Sequence, residues 1–346
     1  MSGRSEPGAL DGQGPGGTPS PFVHPALFYR DTRDYLDGTL RFVREGLAAG
    51  EPVAVAVPGR NLRLIKEGLG SAASAVRLLD MEQAGRNPGR IIPGVLRAFA
   101  DAQPPGRRVR IIGEPIWAGR TAAEYPACVQ HEALINAAFE GRTATILCPY
   151  DVRRLDKRVL ADAYATHPTV IDGGRTSDSE KYAPDMIVAR YNEPLPEVPE
   201  ASGVTFPFDD DSLPEARHRA AAEGTRLGLT PARVQDLMLV TAELTTNSVV
   251  HGGGRGVLRV WGEDGANGSE GAGGAVVCEV RDSGVLVDPL AGRRPAPLNQ
   301  RGGRGLLLVN QVADLVRMHT GRAGTTVRCW FGHGSRQPGF TAVPAR

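Results

Sequence analysis

Residues 240–251 read Val-Thr-Ala-Glu-Leu-Thr-Thr-Asn-Ser-Val-Val-His. Glu243 and Asn247 stand four apart, so on a helix their side chains look out from one face, a turn from each other. Val234, Leu237, Val240 and Leu244 recur at helical intervals and predict the stripe by which that helix meets a core. A carboxylate that can take a proton and an amide oxygen that can hold a hard cation thus share one face of a packed helix. That pairing suits magnesium-nucleotide chemistry. Acid–amide pairs at this spacing are also common on solvated helix faces, so the segments that follow decide the matter.

Val276–Val280 reads as a buried strand that runs into Arg281-Asp282-Ser283-Gly284. A loop rich in Pro, Arg and Gly follows, through Arg293, Arg294 and Pro297 to Arg301-Gly302-Gly303-Arg304-Gly305. Leu306-Leu307-Leu308-Val309 then opens a helix, and Gly324-Thr-Thr-Val-Arg-Cys-Trp-Phe331 reads as a closing strand. An acid at a strand end, Asp282, can accept the amino hydrogens of adenine, and Gly284 lets the backbone come close to the base. Glycines ahead of a helix expose N–H groups beside a positive helix terminus, which suits phosphates. The hydroxyl of Thr326, on the neighbouring strand, could share the adenine contact. A single Gly-rich turn is mostly only a turn, but four elements in this order point to ATP.

Residues from about 204 to 331 resemble the GHKL ATP-binding fold shared by gyrase B, MutL, histidine kinases and the bacterial anti-sigma-factor serine kinases. Glu243-Leu-Thr-Thr-Asn247 looks like the N box of that family, Asp282-Ser-Gly284 like its first glycine box, and Gly303-Arg304-Gly305 like its second. The resemblance implies that Glu243 activates the attacking hydroxyl or water and that Asn247 holds magnesium. It further implies that Asp282 binds adenine and that Gly303 and Gly305 contact the phosphates. Arg301 and Arg304, in or beside the lid, could reach the terminal phosphate; a solvated loop is their other reading. One position departs from the pattern: Leu286 stands where the first glycine box carries a second glycine.

A histidine kinase needs a dimerising helical hairpin with a phosphoacceptor His before the ATPase fold. Here the preceding segment is Glu193-Pro-Leu-Pro-Glu-Val-Pro-Glu200, a stiff Pro-rich linker, and then Val204-Thr-Phe-Pro-Phe208 and a helix from Leu213 to Leu227. His218 on that helix reads as a surface residue, and the sequence runs only a short way past Phe331. The resemblance therefore implies the anti-sigma branch: a protein serine/threonine kinase that uses ATP and Mg2+ and acts on an anti-sigma antagonist, or a factor that holds a sigma factor in a complex. A non-catalytic module whose nucleotide sets partner affinity is the alternative that Leu286 supports, and a sensor histidine kinase-like protein is the second. The kinases of this branch are often dimers, so a homodimer is among the expectations.

The first half carries apolar strands at Val53–Val57, Val76–Asp80, Val109–Gly113 and Ala144–Cys148. Helical patterns lie between them: the stripe Leu36, Leu40, Val43 and Leu47, then residues 60–69, 91–101 and 122–140. Apolar strands alternating with helices predict a parallel sheet covered on both faces, like the three-layer RecA-like core of P-loop ATPases. No Gly-x-x-x-x-Gly-Lys-Ser/Thr occurs, which argues against a second ATP site of that kind. His24-Pro-Ala-Leu-Phe-Tyr29, Gly113-Glu-Pro-Ile-Trp117, His131-Glu132 and Cys148-Pro-Tyr-Asp151, within about residues 22 to 175, resemble the MEDS sensory domain of bacterial regulators. Ligands of open parallel sheets bind outside the carboxyl ends of strands. His24, Glu114, Trp117, His131, Cys148 and Asp151 are therefore the expected lining of one sensory pocket, for a small signal molecule or a metal. Against a metal stands the lack of closely spaced ligand pairs, and Cys148 also reads as a small buried hydrophobe.

The fold expected is thus α/β plus α+β, an N-terminal parallel-sheet domain and a C-terminal GHKL sandwich. The boundaries expected are a disordered tail over 1–20, a sensory domain over 21–190, a linker over 191–203, an ATP-binding domain over 204–333 and a tail over 334–346. Gly265–Gly274 reads as a flexible hairpin loop. A formal net charge of +1 gives no basic footprint for nucleic acid. Four cysteines without CxxC pairing suit a reduced cytoplasm. No apolar run approaches a membrane span, and the first residues do not read as a signal peptide.

Overall fold

The computed structural model describes residues 22–199, 202–263, 274–294 and 303–333. The expected tails, the Gly265–Gly274 loop, Pro297 and Arg301 fall outside these residues wholly or in the main. In chain order the first elements are β1 (Phe22–Val23), β2 (Pro25–Tyr29), α1 (Thr32–Ala48), β3 (Val53–Val57), α2 (Gly59–Leu69) and β4 (Val76–Asp80). Next come α3 (Met81–Ala84), α4 (Ala98–Asp101), β5 (Val109–Gly113), α5 (Tyr125–Ala138), β6 (Ala144–Asp151), α6 (Lys157–Thr166), β7 (Thr169–Asp172), β8 (Arg175–Asp178) and α7 (Pro184–Arg190). The last group is β9 (Gly203–Asp209), α8 (Leu213–Arg226), α9 (Pro231–His251), β10 (Arg255–Glu263), β11 (Ala275–Asp282), α10 (Gly305–Val312), β12 (Leu315–Gly321) and β13 (Gly324–Gly332).

Two compact units emerge, and they interleave along the chain. Among the described residues, the first comprises 22–79, Gln103–Ala118 and Phe139–Ala183; the second comprises Asp80–Ala102, Gly119–Ala138 and those from Pro184 on. Segments 80–102 and 119–138, expected in the N-terminal domain, thus cluster with the C-terminal half.

The first unit is α/β. Its sheet runs β4-β3-β5-β6-β2-β7-β8, with β1 also pairing β6. The β3–β5, β5–β6, β6–β2 and β2–β7 pairs are parallel, and β8 returns antiparallel on β7. Val53–Val57 is buried at every residue, as strands covered on both faces must be. Leu40 and Val43 of α1 and Ile65 and Leu69 of α2 close one core over Val55, Ile112 and Leu147. Asp31 caps α1 by accepting the Asp34 N–H.

The second unit is an α+β sandwich whose antiparallel sheet runs β12-β13-β11-β10-β9. Thr230 caps α9, whose Val234, Leu237, Val240 and Leu244 are buried against Leu258 and Val260 of β10 and Val276, Cys278 and Val280 of β11. Arg233, almost wholly buried, is held by Asp236 at 2.8 Å and Asp314 at 2.7 Å and donates to Val312 O, which ties the start of α9 to the end of α10. Such a pair must be fully bonded to be tolerated inside. Among the described residues no helix is long and apolar enough to cross a membrane, and the four cysteines are buried thiols outside any disulfide.

Candidate functional site

Helix α9 brings Asn247 and Ser248 to the wall of a cavity of about 550 Å3. That volume lies within the range of small-ligand sites. Strand β11 contributes Asp282 at its end, and the turn after it adds Gly284 and Leu286; Gly292, Arg294, Gly303, Gly305, Leu306 and Thr325 complete much of the lining.

Asp282 is fixed from two sides. Ser248 donates its hydroxyl to Oδ2 at 2.6 Å, and the Gly284 N–H donates to Oδ1 at 2.9 Å. A carboxylate offers about four lone-pair directions, so acceptor capacity remains for a ligand's donor. Gly252, the residue after α9, is packed so closely on this carboxylate that a side chain there would displace it. Thr325 donates to Gly284 O at 2.8 Å, so the hydrogen shared across 2.9 Å between Thr320 and Thr325 belongs to Thr320. Thr320 in turn accepts the Leu286 N–H at 2.9 Å, so the Leu286 backbone is tied to β12 while the residue lines the cavity.

Glu243 is half-buried one turn before Asn247. It is not among the lining residues of the cavity, but it lies against the start of α10: a Cβ at Gly305 would sit 2.5 Å from Glu243 Oε2 and 3.5 Å from Asn247 Nδ2. A bulkier residue would part the two motifs. A carboxylate at a helix N-terminus is also electrostatically favoured, which gives Glu243 a structural as well as a chemical use.

Thr326 requires a correction. Asp282 pairs with Thr325 across the β11–β13 ladder, and successive residues of a strand face opposite ways. Thr325 therefore meets the cavity, and Thr326 is not part of its lining. Arg304 is exposed just ahead of α10 and is likewise absent from the lining, whereas Arg294 is present. Ser248, Gly252, Thr320 and Thr325 were not singled out by sequence; the Ser directly after Asn247 was the one legible hint.

The far wall has a second support within the same unit. Asn310 of α10 donates to Gly292 O and Leu306 O at 3.1 Å each. Its own carbonyl accepts Asn87 Nδ2 at 2.9 Å and Arg90 Nε at 3.1 Å, while Arg90 Nη2 reaches Ala313 O at 2.8 Å. These bonds explain why segment 80–102 clusters with the C-terminal half.

The expected sensory pocket divides. Glu114, after the carboxyl end of β5, is buried and receives Tyr29 Oη at 3.5 Å, Tyr35 Oη at 3.2 Å and Asn61 Nδ2 at 2.9 Å. Burial pushes its carboxyl up to about 8, with the nearby Asp151 charge adding to the rise. Asp151 itself caps a turn by accepting the Arg153 and Arg154 N–H groups. His24 lies instead at the amino end of β2, with Cys148 Sγ 3.4 Å from its Nε2. Trp117 is half-buried past β5, and His131 is buried on α5, in the second unit.

Two family models match separate parts of the chain. Residues 23–168 match the model of MEDS, the MEthanogen/methylotroph, DcmR Sensory domain, and residues 206–331 match the histidine kinase-like ATPase domain. No curated protein matches the chain.

Proposed function

We propose that this chain, in which a MEDS sensory domain is joined to a histidine kinase-like ATPase domain, is a signal-controlled anti-sigma regulator. Its ATPase domain binds Mg-ATP and phosphorylates a serine or threonine of an anti-sigma antagonist protein. The observation that carries the nucleotide part is the acid at the cavity floor, Asp282, held by Ser248 and Gly284 with acceptor capacity left for an adenine amino group.

Bound ATP supplies the phosphoryl group, and magnesium offsets the charge on its phosphates. The chain's task in such a transfer is to position groups and balance charge. Asn247 offers an amide oxygen for the cation from the cavity wall. Glu243, beside Asn247 at the start of α10, takes the proton of the acceptor hydroxyl. The exposed N–H groups ahead of α10 suit the phosphates. Control by the sensory half is supported by Asn87 and Arg90, which lie within the stretch that matches the MEDS model and grip the helix that carries Asn310 and Leu306.

A reading without chemistry has its own support, because Leu286 lines the cavity and Glu243 does not. Labelled ATP separates the two. Acid-stable label on the serine or threonine of a partner, lost in Glu243→Ala, is the expected result. Nucleotide binding with no transfer to any candidate antagonist would favour the partner-binding module. Acid-labile label on the chain's own histidine, with the exposed His218 of α8 the first to examine, would overturn both.

A further inference from the structure

His24, Cys148 and His167 are far apart in sequence and belong to one unit. The parallel sheet brings them together. Pro25, at the start of β2, pairs with Thr169, at the start of β7, so the histidines just before each strand become neighbours, their rings 4.1 Å apart. Strand β6 lies on the other side of β2, where Ala26 pairs with Cys148. One ligand atom from each of the three residues falls within 4.8 Å of the others, and all three side chains are buried.

The chemistry of the donors is specific. A carbonyl can only accept, so the 2.9 Å contact between His167 Nδ1 and Ala163 O places the proton on Nδ1. The lone pair is then on Nε2. A ligating histidine is commonly oriented by just such a bond from its other nitrogen to a backbone carbonyl. Phe22 stacks on the His24 ring at 5.8 Å and Tyr150 meets the His167 ring edge-on at 5.5 Å, so each imidazole has an aromatic neighbour.

We propose that His24, Cys148 and His167 form a binding site for a divalent cation of the zinc type, one that prefers imidazole and thiolate. Two neutral imidazoles and one thiolate leave a dication with one positive charge and call for a fourth, anionic donor in a tetrahedral shell. An anionic donor such as a carboxylate or hydroxide satisfies both.

The full chain, stripped with a chelator and reloaded with zinc or cobalt, tests this. The expected result is about one equivalent of metal per chain by mass spectrometry and, with cobalt, a thiolate charge-transfer band together with tetrahedral ligand-field bands. Cys148→Ser should abolish the charge-transfer band, and His167→Gln should weaken binding at least tenfold, with circular dichroism reporting whether each variant is folded. X-ray absorption of the zinc-loaded wild-type chain needs no variant: one sulfur and two imidazole nitrogens are expected in the first shell. Failure of the wild-type chain to take up a stoichiometric metal, a shell without sulfur, or a cobalt spectrum unchanged in Cys148→Ser would each overturn the site.

Discussion

Ser248 and Asp282 meet across 2.6 Å, the hydroxyl of a helix donating to a carboxylate at the end of a strand. The bond orients the acid from behind and leaves its other lone pairs to the cavity. Removing an oriented bond to a charged group costs about 1.5–3 kcal/mol when fully expressed. Ser248→Ala should therefore weaken ATP binding roughly tenfold, and Gly252→Ala, which crowds the same carboxylate, should act in the same direction. Asp282→Ala should also erase the preference for ATP over GTP, whose O6 accepts where adenine donates. Calorimetric titration with both nucleotides measures this; an undiminished ATP preference in Asp282→Ala would remove the acid from base recognition.

Asn247 is expected to act on the cation and Glu243 on the proton, so their variants should differ in kind. Asn247→Ala should lower affinity for ATP in the presence of magnesium and leave affinity for ATP in chelator nearly unchanged. Glu243→Gln keeps the shape of the side chain against Gly305 and should bind Mg-ATP within about threefold of wild type while losing transfer by roughly a hundredfold or more. Equal magnesium dependence in Asn247→Ala and wild type would show that the cation is held elsewhere.

How much of this was legible depended on whether a pattern was local. Helix α9 and strands β3, β5, β6, β11 and β13 could be read because their apolar runs or 3.6-residue stripes lie within single windows. β2 begins with Pro25 and carries a tyrosine, so it read as a motif and not as the inner strand it is. The choice between Thr325 and Thr326 turns on the Asp282↔Thr325 register, which no residue near either threonine specifies. His167 went unread for a similar reason: only the pairing of β2 with β7 places it beside His24. The interleaving of segments 80–102 and 119–138 into the ATPase half is equally non-local, since it rests on bonds such as Asn87 to Asn310.

That last bond makes a prediction of its own. Asn310 links Asn87 to Gly292 O, and Gly292 lines the nucleotide cavity. Asn87→Ala leaves the Asn310 carbonyl one donor fewer, and Arg90→Ala removes a further donor there and the contact to Ala313 O. Each should loosen the wall formed by Gly292 and Leu306 and lower ATP affinity about three- to tenfold, a coupling of about 1 kcal/mol. Thermal unfolding of both variants distinguishes this from general damage. Affinities within twofold of wild type in both would show that segment 80–102 packs on α10 without influencing the nucleotide.

The remaining prediction concerns Glu114. Its carboxyl titrates near 8 when folded and near its ordinary value of 4.5 when the chain is unfolded. Between these two values the folded state binds the proton that the unfolded state has released, so each rise in pH favours unfolding. Stability from this group is complete below pH 4.5 and is lost as pH climbs through about 8, with a slope of at most about 1.4 kcal/mol per unit from a single group. Tyr29 and Tyr35 do not offset the loss, since burial and the Glu114 charge both push their hydroxyls above the usual range and keep them protonated throughout. Glu114→Gln cannot ionise; its amide oxygen can still accept from Asn61 and one tyrosine, while its NH2 donates to the hydroxyl oxygen of the other. It should flatten the fall in melting temperature between pH 4.5 and 8 and leave the variant more stable than wild type at pH 8. A wild-type slope preserved in Glu114→Gln would place the titrating group elsewhere.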